Sequence, residues 1–143
     1  MSRGIPKSVL EMLSAVPLFS TCTKSELRTI ANLGASVDVA DGAVLIEQGK
    51  PGREFFLLVE GGARCIVDGE QVAIFGAGDF FGEMALLDRR PRNATVVATA
   101  DSEVLVLSAS EFHGLLDSAP TITKKLLLAV AERERDPKLV EAD

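Results

Sequence analysis

The stretch Arg64-Cys65-Ile66-Val67-Asp68-Gly69-Glu70-Gln71-Val72-Ala73-Ile74-Phe75 decides the fold. Two short apolar runs, Arg64–Val67 and Gln71–Phe75, flank Asp68-Gly69, where glycine accepts the positive φ that a tight hairpin turn demands. The same pattern continues on both sides. Candidate strands Ser36–Val39, Val44–Glu47, Phe55–Glu60, Thr95–Ala98 and Val104–Leu107 are separated by Asp41-Gly42, Gly49, Pro51-Gly52, Gly61-Gly62 and Gly76. Strands this short at such regular intervals predict an all-β sandwich or barrel of the jelly-roll type.

Outside residues 35–108 the apolar pattern takes a helical period. Val9, Met12, Leu13 and Val16, then Leu27, Ile30 and Ala31, predict helices at residues 7–15 and 23–33, with Pro17 between them. Thr23 and Glu26 carry the signature of a capping box, and Gly34 fits the end of that helix. After the strands, Ser110 is the expected cap of a helix over Glu111–Asp117, Pro120 interrupts, and Thr121–Arg135 runs without a breaker. Ile122, Leu126, Ala129 and Val130 share one face of this last helix. Such a stripe suits packing against the β-core, a mobile lid or a dimer seam. The run Leu126-Leu127-Leu128 leaves an apolar face open to self-association as a homodimer. The expected fold is mainly β with flanking helices. A double-stranded β-helix (jelly roll) lies between N-terminal helices and C-terminal lid helices at 110–135, all in a single domain, residues 1–143.

Composition narrows the function classes. A chain of 143 residues with 47% apolar and 25% charged residues can bury a real core. No run of eighteen apolar residues occurs and Met1–Lys7 does not lead into a signal-peptide core, so neither a membrane span nor secretion is expected. Twenty-one acidic against fifteen basic side chains give a formal net charge of −6, which opposes charge-driven binding to nucleic acid or anionic lipid. That balance leaves room for one local anion pocket. The few residues after Arg135 are far short of a helix-turn-helix. Cys22, Cys65 and His113 cannot supply a four-ligand zinc site or the several ligands of a catalytic metal, and two cysteines suit a reducing cytoplasm. His113 reads as a surface or packing residue and Cys65 as an inert buried thiol. With no nucleophile constellation in view, an enzyme is not expected.

Residues 76–95 interrupt the strand pattern. Gly76, Gly78 and Gly82 approach Glu83-Met84-Ala85-Leu86-Leu87, a short run of good helix formers, and Pro91-Arg92 follows just before a strand. A glycine-rich approach to a helix leaves main-chain N–H groups open to a phosphate, and a guanidinium can bond two phosphate oxygens at once. Each residue alone has a plainer account. Arg92 could be a solvated charge beside Arg89 and Arg90, Glu83 could favour its helix start by charge–dipole attraction, and the glycines could be turns.

The ordered combination resembles a known motif. Phe81-Gly82-Glu83-Met84-Ala85-Leu86-Leu87 with Pro91-Arg92-Asn93-Ala94-Thr95-Val96 is similar to the phosphate-binding cassette of cyclic nucleotide-binding domains, prokaryotic members included. Pro17-Leu18-Phe19, Gly42 with Leu45-Ile46 and Gln48-Gly49, Phe55-Phe56-Leu57-Leu58 with Gly61, and the Phe112 helix extend the resemblance over residues 16–135. It implies that Arg92 pairs with a cyclic phosphate and that Glu83 accepts a hydrogen bond from the ribose 2′-hydroxyl. It further implies that main-chain N–H groups around Gly82, Glu83 and Ala94 complete the cradle, and that Val67 and Met84 line the purine pocket. Arg133, by its spacing, resembles the arginine that closes over the base. Asn93 stands where the family commonly has Ala, Ser or Thr, a position tied to guanine preference, and the resemblance leaves cyclic AMP favoured over cyclic GMP. The implied function is a cyclic nucleotide sensor whose C-terminal helices reposition on binding and act on a separate protein effector. The alternative is a degenerate β-roll that serves as an interaction module and has lost its nucleotide.

Overall fold

The computed structural model describes residues 5–87 and 89–135. Among the described residues, eight strands form two four-stranded antiparallel sheets. They are β1 (Ala35–Val39), β2 (Val44–Ile46), β3 (Glu54–Glu60), β4 (Gly62–Val67), β5 (Glu70–Gly76), β6 (Phe80–Phe81), β7 (Thr95–Ala98) and β8 (Ser102–Ser108). The first sheet runs β1-β8-β3-β6 and the second β2-β7-β4-β5. The helices are α1 (Lys7–Ser14), α2 (Lys24–Leu33), α3 (Ala109–Ser118) and α4 (Pro120–Arg135), with single 3₁₀ turns at Pro17–Phe19 and Glu83–Leu86. Mainly β with flanking helices, this is the expected jelly roll.

The sequence of β3 shows why the layers stack as they do. Phe55, Phe56, Leu57 and Leu58 are all buried, because the first sheet is covered on both faces. Phe56 and Leu58 join Ile46, Ala63, Cys65, Phe81, Ala94 and Val96 between the sheets. Phe55 and Leu57 turn the other way, into a second cluster with Leu13, Phe19, Ile30, Phe112 and Leu126 from the helices. A strand buried on both faces needs no alternation; β5 alternates, with Val72 and Ile74 outward and Ala73 and Phe75 inward. The Asp68-Gly69 hairpin forms as expected, with φ of 52° and 83° at the two residues.

Several local expectations change. The Thr23–Glu26 capping box is present in both directions, at 3.2 and 2.8 Å. Gly34 closes α2 in an extended conformation, φ −81°, so left-handed freedom is not why it is glycine. A Cβ there would stand 2.8 Å from Leu105 Cδ1, so the need is close packing against β8. The cap of α3 is Ser108, which accepts from Glu111 N, in place of Ser110, because β8 runs straight into the helix. The five-residue helix expected from Glu83 is a 3₁₀ turn of four residues. Strand β6 was not visible in the sequence pattern, since Phe80-Phe81 is too short to show a period.

Candidate phosphate seat

The seat begins with backbone. The loop between β2 and β3 and the segment before β7 are stitched together, Gly49 N donating to Arg92 O at 2.8 Å and Arg92 N to Lys50 O at 3.1 Å. Gln48 N donates to Thr95 Oγ1 at 2.9 Å, and the Gln48 amide exchanges two hydrogen bonds with Asp68, at 2.8 and 2.9 Å. These ties fix the main chain on both sides of Arg92 and leave its side chain to cross toward β3.

There the guanidinium is nearly enclosed, at 6% exposure. Nη2 donates to the main-chain oxygen of Glu54 at 2.7 Å and lies 3.8 Å from the Glu54 carboxylate. Two glycines let it in. A Cβ on Gly52 would stand 2.7 Å from Nε, and one on Gly82 would stand 2.8 Å from Nη1. Gly82 also has φ +78°, which side-chain-bearing residues rarely adopt, so both its conformation and its neighbour exclude a larger residue. Nη1 is buried and has no hydrogen-bond partner among the described residues. Burial pushes the Arg92 pKa down, against the opposing pull of Glu54.

Glu83 follows Gly82 at the head of the 3₁₀ turn and is 1% exposed. Among the described residues the buried polar or charged side chains are Glu83, Arg92 and Ser102, so two of three belong to this one seat. Carboxylates and guanidinium groups are seldom buried without a specific use for their charge. The structure thus brings Gly82, Glu83 and Arg92 together. Ala94 is buried between the sheets and Val67, half-buried, packs on the same cluster, whereas Asn93 is exposed. Met84 lies in the 3₁₀ turn and Arg133 in α4, but their side chains fall outside the described residues.

Sequence reasoning missed Glu54 and Gly52, because nothing along the chain links residues 52–54 with residue 92. It also missed the use made of His113, whose Nε2–H donates to Leu86 O at 2.8 Å and so ties α3 to the 3₁₀ turn. A single histidine without a partner cluster carries no signal for such a bond. On the far side of the helical layer, Lys125 of α4 meets Glu26 of α2 at 2.6 Å, which holds the Glu26 carboxyl below its usual range. Cys22 and Cys65 are free, and burial raises both thiols. Among the described residues there is no cluster able to hold a metal ion, and no helix is long and apolar enough to cross a membrane.

Residues 36–119 match the family model of the cyclic nucleotide-binding domain. The chain belongs to that family. It is 38% identical over 128 residues to a cAMP-dependent protein kinase regulatory subunit of Hypocrea atroviridis, covering 87% of this chain and 28% of that protein. The chain therefore spans less than a third of that relative's length. Among solved structures it is similar to the N-terminal domain of a transcriptional regulator from Streptomyces coelicolor A3(2), at a TM-score of 0.81 and 28% identity, covering 92% of this chain and 98% of that one. It is also similar to cAMP-bound PfPKA-R, at a TM-score of 0.66 and 28% identity, covering 96% of this chain and 50% of that one. Membership agrees with the jelly roll and with the cassette read from residues 81–96.

Proposed function

We propose that residues 7–135 form one regulatory, non-enzymatic module that binds cyclic AMP at Arg92, with cyclic GMP as the weaker ligand. The single observation that carries this reading is Arg92 Nη1, a buried cationic nitrogen with no acceptor among the described residues. A buried donor left so costs about 1–3 kcal/mol, more when charged, and an anion seated there would satisfy it. Glu83 would accept from the ribose 2′-hydroxyl, main-chain N–H groups around Gly82 and Ala94 would hold phosphate oxygens, and Val67 and Met84 would line the base. Asn93 and Arg133 would act at the rim and the lid. The names of the regulatory-subunit relative and of the cAMP-bound neighbour support cyclic AMP over other anions. A β-roll that has lost its ligand is the disfavoured alternative, since such a module has no need to bury both an arginine and a glutamate.

The route from seat to output runs through the 3₁₀ turn. Leu86 is fully buried in the helical cluster and its carbonyl accepts from His113, so a shift of the turn is felt by α3 and then α4. Ligand repositions these helices only to the extent that it binds one arrangement better than the other. The response would pass to a separate protein effector, in a reducing cytoplasm that suits two free cysteines. Calorimetric titration with cyclic AMP and cyclic GMP tests the reading. Binding of cyclic AMP that disappears in Arg92→Ala is expected; heat and affinity unchanged in that variant would remove the assignment.

A further inference from the structure

The seat holds an acid as well as a base. Glu54 meets the Arg92 guanidinium twice, through its main-chain oxygen at 2.7 Å and through its carboxylate Oε1 at 3.8 Å. The main-chain contact and the close walls at Gly52 and Gly82 already fix the guanidinium. The carboxylate, itself anchored by Arg53 N–H at 3.3 Å, therefore contributes charge more than position. Its side chain is 46% exposed against 5% for Arg92, so a solvent-facing negative charge lies 3.8 Å from a buried cation.

We infer that Glu54 sets the charge selectivity of the seat, admitting a singly charged cyclic phosphodiester and disfavouring the doubly charged phosphomonoester of a ring-opened nucleotide. The inference rests on the ligand reading above. A phosphomonoester carries about −1.5 to −2 at neutral pH because its second pKa is near 6, whereas a cyclic phosphodiester carries a single charge. Taken alone, Arg92 attracts the monoester more strongly, since attraction scales with ligand charge. Glu54 offsets that advantage, because its repulsion scales the same way. For a charge about 5 Å from a half-exposed carboxylate, the repulsion is on the order of a fivefold loss of affinity, and near the square of that factor for the doubly charged ligand.

The experiment is calorimetric titration of the full chain and of Glu54→Gln with cyclic AMP and, separately, 5′-AMP, with Arg92→Ala as control. Glu54→Gln is expected to bind cyclic AMP about fivefold more tightly and 5′-AMP about twenty-fivefold more tightly, with both gains shrinking as salt is raised. Glu54→Ala must give the same order, and melting temperatures establish that each variant is folded. An equal gain for the two ligands, no gain, or a loss of cyclic AMP affinity overturns the inference while Arg92-dependent binding stands. If the unaltered chain binds neither nucleotide, or Arg92→Ala binds as well as it does, the ligand reading fails and the inference with it.

Discussion

The 3₁₀ turn Glu83–Leu86 has two sides held by different physics. On one side lies the candidate phosphate seat, where Arg92 is fixed by a 2.7 Å hydrogen bond, by backbone stitching and by two glycines that admit no Cβ. On the other lies the helical layer, where Leu86 belongs to the buried cluster that also holds Phe19, Phe112 and Leu126, with polar ties at His113 and Lys125. Directional bonds fix distances to tenths of an ångström; apolar contacts are non-directional and tolerate a change of partner. A turn that adjoins this fixed seat at Gly82 and is joined to α3 by packing and the single His113–Leu86 hydrogen bond can pass a local displacement to the helices without loosening the seat. The β-roll supplies the fixed side because β3 is buried on both faces.

Substitutions on either side test that contrast. Arg92→Ala should have the largest effect, about 3–5 kcal/mol of ligand affinity, with the jelly roll intact by circular dichroism. Leu86→Ala strikes the helical side and should cost about 3 kcal/mol of stability in a urea titration, since it leaves a cavity in the buried cluster. Glu83→Ala returns to the seat and should weaken cyclic AMP by about 2 kcal/mol. The same substitution should matter much less for the 2′-deoxy analogue; equal losses for both ligands would remove the ribose contact. Lys125→Met is the smallest, about 1 kcal/mol of stability for a partly exposed pair. The Glu26 carboxyl is held below its unfolded value by Lys125, so this contribution is complete above about pH 4.3 and disappears as pH falls through the folded value. Unfolding midpoints of the two proteins should differ at pH 7 and converge in acid; a gap that persists there would mean that Lys125 acts through packing.

Much of this was legible in the chain itself. Among the described residues, short apolar runs between turn residues placed seven of the eight strands, and helical periodicity placed the four helices, because burial on one face writes a repeat of 3.6 into a helix. The cassette was legible because its residues lie close together in sequence, glycine, glutamate and arginine within Gly82–Arg92. Strand β6 left no pattern, since two residues cannot show a period.

Sequence by itself determined the strand alternation, the hairpin at Asp68-Gly69, the capping box and the identity of the buried cation and acid. Tertiary structure alone decided who faces them. Glu54 reaches Arg92 across 38 positions, His113 reaches Leu86 across 27, and Lys125 reaches Glu26 across 99. Local pattern reports only whether a side chain faces in or out. Which group it meets there depends on how the two sheets close and where the helices land, and that is set by the packing of the whole chain.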